Sequence, residues 1–334
     1  MADTYARLTK EGMMRAVTIT EFGATPALVE IPTPEPGVGQ VLIKLAAAGM
    51  NPMDRTFASG AQTPPLPATF LTMLGADCAG VVEKLGKGAS KYSVGDDLFG
   101  QLLITPLGSA GTYAEYVAVA EDAHLARVPS EVDLVVAASL PTAGATGLAL
   151  VDVLEPLTEK EVLIAGAGGG VGSFVTQFAL NAGGHVIANV RSSLDEMRME
   201  GYGVAETINR EAVELPDAVR QAHPEGIDVL IDLVDDGTAF SALASLAKPG
   251  ATAVSTRYAA DEEVLRAKGV AGINFNLSAQ MSSELLERLA QAVADGRIVA
   301  PPIRRISLDE APAAFNPAPR QPASGKTVIV MNAP

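Results

Sequence analysis

The apolar positions in the first part of the chain fall into short runs that glycine and proline separate. The strand-like runs lie at residues 16–20, 28–31, 41–47, 80–84, 97–103 and 113–119. Short apolar runs with this punctuation are typical of strands joined by tight turns. The pattern predicts a compact, mostly antiparallel β-domain over about the first 130 residues, with a proline-rich loop at residues 62–67.

The pattern of apolar positions changes after residue 133. Residues 134–154 are small and apolar, and Pro141 and Gly144 interrupt them, which predicts a buried pair of helices. From residue 161 onward buried strands alternate with helical segments, and the predicted strands are residues 162–165, 185–190, 229–234 and 252–255. This alternation is typical of parallel βαβ units. A strand at residues 327–331 returns to the first pattern, so a β-domain, an α/β-domain and a short β-segment follow one another.

Length and composition narrow the class of protein. The chain has 334 residues, 48% of them hydrophobic and 19% charged, which predicts two globular domains. Its 39 acidic and 24 basic residues give a formal charge of −15, so neither nucleic acid nor an anionic membrane is an expected partner. Residues 162–184 carry no charge, but their seven glycines fit a strand, a turn and a helix better than a membrane span. The first dozen residues or so are expected to be a poorly ordered extension without a signal peptide, which predicts a cytoplasmic location.

Cysteine and histidine are scarce in the chain. The single cysteine, Cys78, lies in an apolar run and is predicted to be a buried, unreactive thiol. The three histidines, His124, His185 and His223, are far apart and share no ligand spacing, so surface or supporting roles are expected for them. This inventory excludes a disulfide framework and a cysteine-rich zinc site, and no metal site is predicted.

The most specific local signal is a glycine-rich loop between the predicted strand 162–165 and the predicted helix 172–181. It matches a dinucleotide fingerprint with alanine at the first glycine position, and its residues are Ala167, Gly168, Gly169, Gly170, Val171 and Gly172. Such a loop lets the backbone approach a pyrophosphate, and the helix N-terminus then offers free N–H groups to the phosphates. A loop that only connects strand and helix is the alternative. The strand before it and the amphipathic helix after it favour dinucleotide binding.

The end of the next strand carries the residues that distinguish NAD from NADP. An NAD site usually has an acid about 20 residues after the glycine loop, but this chain has Arg191, Ser192 and Ser193 there. A guanidinium and two hydroxyls suit a dianionic 2′-phosphate, so the predicted cofactor is NADPH. The alternative is an exposed Arg191 that pairs with Asp195 or Glu196.

Several further short motifs occur in a fixed order along the chain. They are Met14-Arg-Ala-Val17, Ala48-Gly-Met-Asn-Pro-Met-Asp54, Leu74-Gly-Ala-Asp-Cys-Ala-Gly80, Gly95-Asp-Asp-Leu-Phe-Gly100, Gly111-Thr-Tyr-Ala-Glu-Tyr-Val117, Leu140-Pro-Thr-Ala-Gly-Ala-Thr-Gly147 and Gly325-Lys-Thr-Val-Ile-Val330. With the glycine loop, they make the chain resemble a zinc-independent medium-chain dehydrogenase/reductase of the quinone oxidoreductase branch, which includes zeta-crystallin. The similarity spans residues 14–331.

This resemblance implies an α/β fold in which a GroES-like β-domain is interrupted by a Rossmann domain with a doubly wound parallel sheet. The expected limits are residues 1–135 and 299–334 for the GroES-like substrate domain and residues 136–298 for the Rossmann domain, with the active cleft between them. Zinc-dependent relatives carry a cysteine near the position of Met50 and a histidine where this chain has Ala76. Without such ligands, zinc catalysis is not expected.

The resemblance also implies roles for individual residues. Asn51 and Asp54 match the cleft motif near the nicotinamide, Thr146 matches a threonine that contacts the cofactor near that ring, and Ser255 and Thr256 match the strand end at the carboxamide. Asn51, Asp54 and Thr146 are the catalytic candidates. Each has a plainer alternative: a turn contact for Asn51 and Asp54, and helix packing for Thr146.

Two departures from the family pattern affect these roles. Thr56 stands where some quinone reductases have tyrosine, which leaves the identity of the substrate open. A lysine that some members use for the 2′-phosphate is replaced around Glu196 or Met197, which leaves Arg191 as the main phosphate candidate.

The expected function is an NADPH-dependent reductase that delivers hydride to quinones or related conjugated carbonyls. An enal or enoyl-thioester double-bond reductase is the alternative within the same fold. A non-catalytic NADPH-binding protein, with a crystallin-like or RNA-binding role, is a third possibility, although the charge of −15 opposes RNA binding. A homodimer that forms through the predicted sheet edge at residues 272–277 is also expected.

Overall fold

The computed structural model describes residues 12–61, 67–104, 106, 108–315 and 325–331. The expected N-terminal extension and residues 62–66 of the proline-rich loop lie outside this part of the chain. Thr56, which stands where some quinone reductases have tyrosine, lies in a helix.

The N-terminal part forms short strands and one helix, as the apolar pattern predicts. The elements are β1 (Met13–Ile19), β2 (Ala27–Pro32), β3 (Gln40–Gly49), α1 (Pro52–Ser59), β4 (Thr72–Met73), β5 (Asp77–Leu85), β6 (Asp97–Gln101), β7 (Tyr116–Ala120) and β8 (Leu125–Arg127). Strands β2, β1 and β4 make a small antiparallel sheet, while β3 pairs antiparallel with both β5 and β7. Strands β6 and β8 continue the larger sheet beyond β5. Apolar residues of these strands form a large buried cluster, and Met14, Ala16 and Ala114 form a smaller one.

Two helices lead from the first sheet into the second part of the chain. They are α2 (Leu134–Ser139) and α3 (Pro141–Leu154), so the predicted helix pair is confirmed. The Asp133 carboxylate accepts the N–H groups of Val135 and Val136 and thereby begins α2. Pro141 fits the first turn of α3, where its missing N–H has no partner to lose. Since α3 is buried along most of its length, it joins the cores of both parts of the molecule.

The middle of the chain alternates strands and helices. The elements are β9 (Glu161–Ala165), α4 (Gly170–Asn181), β10 (His185–Val190), α5 (Ser193–Gly201), β11 (Glu206–Asn209), α6 (Leu215–Ala222), β12 (Ile227–Asp232), α7 (Gly237–Ala244), β13 (Ala247–Ser255), α8 (Glu262–Ala267), β14 (Ala271–Asn274) and α9 (Ser283–Ala294). All strands run parallel in the order β11-β10-β9-β12-β13-β14. The direction in which successive strands are added reverses at β9: β10 and β11 lie on one side of it, and β12, β13 and β14 on the other. Sheets of this kind bind ligands at the carboxyl ends of the strands, next to such a reversal. This is the predicted Rossmann arrangement.

The last described segments return to the first sheet. Strand β15 (Ile303–Ser307) runs parallel to β16 (Lys326–Val330), and β16 pairs antiparallel with β3, where Val328 lies opposite Gly49. The GroES-like sheet is thus completed by residues that follow the Rossmann segment, which confirms the predicted fold class. The predicted domain boundaries at residues 135 and 298 stay predictions.

The uncharged stretch 162–184 divides into β9, the glycine loop and α4. Across the described residues, no helix combines the length and the apolar character that crossing a membrane requires.

Candidate active site

The glycine loop turns sharply between β9 and α4. Gly166 has a φ of +87°, which L side chains rarely adopt. A Cβ at Gly172 would overlap the carbonyl oxygen of Gly166 and would lie 2.6 Å from the Cα of Ala167. The first turn of α4 packs against the preceding turn so closely that only glycine fits at this position.

The shape of this loop fits a dinucleotide phosphate. Gly168, Gly169 and Gly170 are partly exposed, whereas Ala167 is fully buried beneath them. The helical hydrogen bonds of α4 begin with the N–H of Ser173, which donates to Gly169 O, so the N–H groups before it lack helical partners. The first turn carries no acidic residue. The loop and the helix N-terminus could therefore hold a pyrophosphate.

The residues after β10 meet the glycine loop from the neighbouring strand. Arg191 and Ser193 are exposed, and Ser192 is the N-cap residue of α5. Among the described residues, Arg191 makes no ion pair with Asp195 or Glu196. The Asp195 carboxylate instead binds the guanidinium of Arg198 at 2.6 Å, because an i,i+3 spacing brings both side chains to one face of α5.

A second site lies in the cleft beside the GroES-like sheet, where four polar side chains form a buried cluster. The polar cluster consists of Asn51, Asp77, Thr142 and Lys326. The Asn51 amide donates to Asp77 Oδ2 at 2.8 Å and accepts from Lys326 Nζ at 2.6 Å. The Thr142 hydroxyl donates to Asp77 Oδ1 at 2.6 Å, and Lys326 also donates to Met50 O at 3.1 Å. Both ends of the Asn51 amide are therefore held, which fixes its orientation.

Burial perturbs both charged members of the polar cluster. Desolvation raises the pKa of Asp77, while Lys326 and the Thr142 hydroxyl oppose this rise. Desolvation also lowers the pKa of Lys326, and the negative charge of Asp77 opposes that shift. The two charges lie 3.9 Å apart and are 0% and 5% exposed, so each depends on the other for its ionised form.

Asp54 lies next to the polar cluster at the start of α1. Its Oδ2 accepts the N–H of Asn51 and the hydroxyl of Tyr113, both at 2.6 Å. Desolvation raises the pKa of Asp54 to about 7, and the hydrogen bonds from Tyr113 and Asn51 limit the rise. The other oxygen, Oδ1, is buried without a hydrogen-bond partner among the described residues. The proton of the neutral acid therefore belongs on Oδ1.

Asp54 lines a largely apolar cleft. The volume of this cleft is about 30 Å³, so it is narrow, and its walls include Phe22, Phe57, Leu74 and Leu102. A concave, mostly apolar lining with one titratable group is typical of small-molecule sites.

The other predicted residues lie around these two sites. Thr146 is 7% exposed on α3, and its hydroxyl donates to Thr142 O at 2.6 Å. Ser255 ends β13, and its Oγ accepts the N–H groups of Arg257 and Ala259, while the Thr256 N–H donates to Asp232 O. Both residues lie at the carboxyl edge of the parallel sheet, the edge from which the glycine loop also leaves.

The structure adds residues that sequence reasoning missed. Asp77, Thr142 and Lys326 each lie inside a quoted motif, but nothing local marked them as partners. A signal was available, since a lone charged residue between apolar strand positions is usually buried and paired.

Two of the three histidines contact the same carboxylate. His185 and His223 place their Nδ1 atoms 3.4 and 3.5 Å from the two oxygens of Glu161, at the amino end of β9 and far from the cofactor edge. They are thus neighbours despite their sequence separation. In the described part of the chain, no group of three or more His, Cys, Asp or Glu residues could hold a metal ion. Cys78 is buried as predicted, and desolvation raises the pKa of its thiol, so it is not a nucleophile at neutral pH.

Comparisons with known proteins agree with this architecture. The family model described as "Alcohol dehydrogenase GroES-like domain" matches residues 37–130, and the model described as "Zinc-binding dehydrogenase" matches residues 202–329. A quinone oxidoreductase of Pongo abelii is 33% identical over 233 residues, which are 68% of each chain. A 2-methylene-furan-3-one reductase of Solanum lycopersicum is 29% identical over 98% of this chain and 82% of its own. A mycobacterial protein solved in complex with NADPH superimposes with a TM-score of 0.82 and 26% identity over 95% of this chain and 100% of its own.

The fold and the glycine loop, taken with these relatives, define an NAD(P)-dependent oxidoreductase. The chain belongs to the medium-chain dehydrogenase/reductase family, with quinone oxidoreductases among its relatives.

Proposed function

We propose that this protein is an NADPH-dependent oxidoreductase that delivers hydride to quinones or related conjugated carbonyls without zinc. The observation that carries the proposal is the position of Lys326. Its Nζ donates to Asn51 Oδ1 and Met50 O, while a Cβ at Gly170 in the glycine loop would lie 3.0 Å from its Cδ. The Asn51 backbone N–H in turn donates to Asp54, which lines the apolar cleft. One chain of contacts thus connects the phosphate-binding loop to the wall of the cleft, which supports transfer between a dinucleotide and a substrate.

The residues proposed to hold NADPH are those predicted from the sequence. The loop from Ala167 to Gly172 would bind the pyrophosphate, Arg191 with Ser192 and Ser193 would receive the 2′-phosphate, and Thr146 with Ser255 and Thr256 would lie near the nicotinamide. When bound, the nicotinamide supplies the hydride. The exposure of Arg191, which has no ion-pair partner among the described residues, supports the role of its guanidinium as a phosphate ligand.

Asp54 is the proposed proton donor to the substrate oxygen. Desolvation raises the pKa of Asp54 to about 7, which allows its carboxyl group to hold a proton near neutral pH, and Asp54 lines the cleft. Asn51 is the proposed positioning residue. Its backbone N–H donates to Asp54 Oδ2, while its side-chain amide is held by Asp77 and Lys326.

The side chains near the cleft support catalysis without zinc. Met50 and Ala76 occupy the positions at which zinc-dependent relatives have ligands, and neither offers a thiolate or an imidazole. Activity is therefore expected to persist after dialysis against 1,10-phenanthroline. Loss of activity with the chelator, restored by zinc, would overturn this part of the proposal.

The oxidation of NADPH, followed at 340 nm, tests the proposed activity. The acceptors are 1,4-benzoquinone, 9,10-phenanthrenequinone, acrolein and crotonyl-CoA. Turnover with a quinone supports the proposal, whereas tight NADPH binding without turnover on any acceptor would favour a non-catalytic NADPH-binding protein. Turnover confined to acrolein or crotonyl-CoA would favour the second candidate, a double-bond reductase. The similarity to a furanone reductase over 98% of this chain supports that candidate.

We also propose a homodimer in the cytoplasm. Strand β14 forms an edge of the parallel sheet, and an edge strand offers unpaired backbone groups to a second copy. Light scattering after size-exclusion chromatography checks the assembly, and a monomer would contradict the proposed dimer.

A further inference from the structure

Two aromatic rings and a leucine are exposed at the mouth of the apolar cleft. Phe22, Phe70 and Leu71 are 39%, 50% and 41% exposed, and we call them the mouth patch. The rings of Phe22 and Phe70 meet edge to face, with their centroids 5.2 Å apart. The other seven of the nine phenylalanines are buried or half-buried. Single exposed apolar side chains need no explanation, but a group of them at the entrance of a cleft indicates a binding surface.

The pairing of β1 with β4 places the mouth patch beside the cleft. The two strands are antiparallel, with Ile19 opposite Thr72, so the residues after β1 and those before β4 emerge at the same end of the pair. Phe22 follows β1 and Phe70 precedes β4. Thr72 lines the cleft, and its hydroxyl donates to Thr69 O at 2.6 Å, which fixes the turn that carries Phe70. The mouth patch is therefore continuous with the wall of the cleft.

Phe22 belongs to both the mouth patch and the wall of the cleft. The Gly23 N–H donates to Ala58 O at 2.8 Å and thereby ties the loop after β1 to α1. A Cβ at Gly60 would lie 2.9 Å from the Cγ of Phe22, so the ring packs directly on the end of α1. The first turn of the same helix carries Asp54. One short helix thus holds both the ring at the mouth and the carboxyl group in the cleft.

The size of the cleft determines where a substrate lies. Its volume of about 30 Å³ has room for about two groups of the size of a water molecule. Sites that enclose a whole small molecule measure about 300 to 1,000 Å³. A carbonyl group fits beside Asp54, but the rest of a substrate does not. The remainder lies where the cleft opens, and the surface there is the mouth patch.

We infer that the mouth patch binds an apolar substituent of the substrate, and that the preferred acceptors are conjugated carbonyls with an alkyl or aryl group of several carbons. The inference rests on the proposed function for the carbonyl group that enters the cleft. Phe70 is the specificity-determining residue to test, because its ring packs on Phe22 while Phe22 itself forms part of the cleft wall. An aromatic ring offers a large apolar surface to such a substituent.

Two pairs of acceptors with the same reacting group test this inference. One pair is methyl vinyl ketone and pentyl vinyl ketone, and the other is methyl-1,4-benzoquinone and pentyl-1,4-benzoquinone. The members of each pair differ by four methylenes, and a methylene that loses half of its exposed surface strengthens binding about twofold. In the wild type, the KM of the longer member is therefore expected to be lower by about tenfold or more. Equal KM values within each pair would overturn the inference whether or not any variant folds.

Phe70→Ala is expected to reduce the preference for the pentyl acceptor by about threefold or more, in KM rather than in kcat. Phe70→Leu is expected to keep most of the preference, because it retains a large apolar side chain. Val94→Ala is the matched control, since it removes another exposed apolar side chain, in the connection between β5 and β6. An unchanged preference in Phe70→Ala, or an equal loss in Val94→Ala, would contradict the role of the mouth patch.

Binding without turnover separates this inference from the proposed function. Butan-2-one and octan-3-one are the saturated counterparts of the two vinyl ketones, and ligand-observed nuclear magnetic resonance measures their binding to the wild type and to Phe70→Ala. If octan-3-one binds more tightly and Phe70→Ala reduces the difference, but no acceptor is reduced, the inference stands and the proposed function fails. If the acceptors are reduced with equal KM values, the proposed function stands and the inference fails. If there is neither turnover nor a preference in binding, both fail.

Discussion

Replacing Lys326 by methionine removes one charge of a buried pair and leaves the other without compensation. Asp77 is 0% exposed, and its carboxylate lies 3.9 Å from the Lys326 ammonium. At that distance and an effective dielectric constant of about 20, the attraction is about 4 kcal/mol. Loss of one partner of such a pair destabilises a protein by about 3 to 5 kcal/mol, because an uncompensated buried charge remains. The Asn51 amide oxygen also loses its donor.

We expect the midpoint of thermal unfolding to fall by roughly 4 to 7 °C in Lys326→Met, because about 2.1 cal/mol/K per residue gives the 334-residue chain an unfolding entropy of about 0.7 kcal/mol/K. Circular dichroism measures the transition in Lys326→Met and in a double variant that carries both Lys326→Met and Asp77→Asn. The double variant is expected to regain at least half of the loss, since the buried charge is gone. Lys84→Met is the control, because Lys84 pairs with Glu35 on the surface, where ion pairs contribute little. A melting temperature of Lys326→Met within about 2 °C of the wild type would refute this account of the buried pair.

Three further outcomes follow from the site. Folding raises the pKa of Asp54 to about 7, so the folded state binds more protons than the unfolded state between its ordinary pKa and 7. The Asp54 contribution to stability therefore falls as pH rises through this window. Between pH 5 and pH 8 the melting temperature of the wild type should thus fall by more than that of Asp54→Asn. If Asp54 donates the proton, kcat with a quinone declines above pH 7 in the wild type. The substitution Asp54→Asn is then expected to lower kcat about 10²-fold or more and to remove that decline. A variant with the same pH profile as the wild type would contradict the donor role. Gly172→Ala should abolish NADPH binding in calorimetry, because its Cβ would overlap Gly166 O, whereas Gly201→Ala, which has open space around it, should bind normally.

The features that could be predicted from the sequence are those whose signal is local. Many strands of the three sheets follow apolar runs, and the glycine loop is specified by the steric demands of a tight turn between β9 and α4. Asn51 and Asp54 were found from one motif, since they are three residues apart and the structure joins them by a hydrogen bond.

The partners of these residues could not be predicted, because they depend on long-range topology. Asn51 and Lys326 are 275 residues apart and meet only because β16 pairs with β3. The contact between Asp195 and Gly168 likewise depends on the parallel register of β9 and β10. The partner of Asp195 could not be predicted either, because the helical periodicity of α5 directs its carboxylate to Arg198, three residues further on.

The pairing of β16 with β3 has a consequence for synthesis on the ribosome. Strand β3 leaves the ribosome long before its neighbour, and at about 5 to 20 residues per second the 275 residues between Asn51 and Lys326 take roughly 15 to 55 s to translate. By the end of this interval the parallel sheet has all of its own strands, whereas the end of β3 that pairs with β16 still lacks that partner. The polar cluster is thus assembled last, and a nascent chain has a complete nucleotide fold before it has a working cleft.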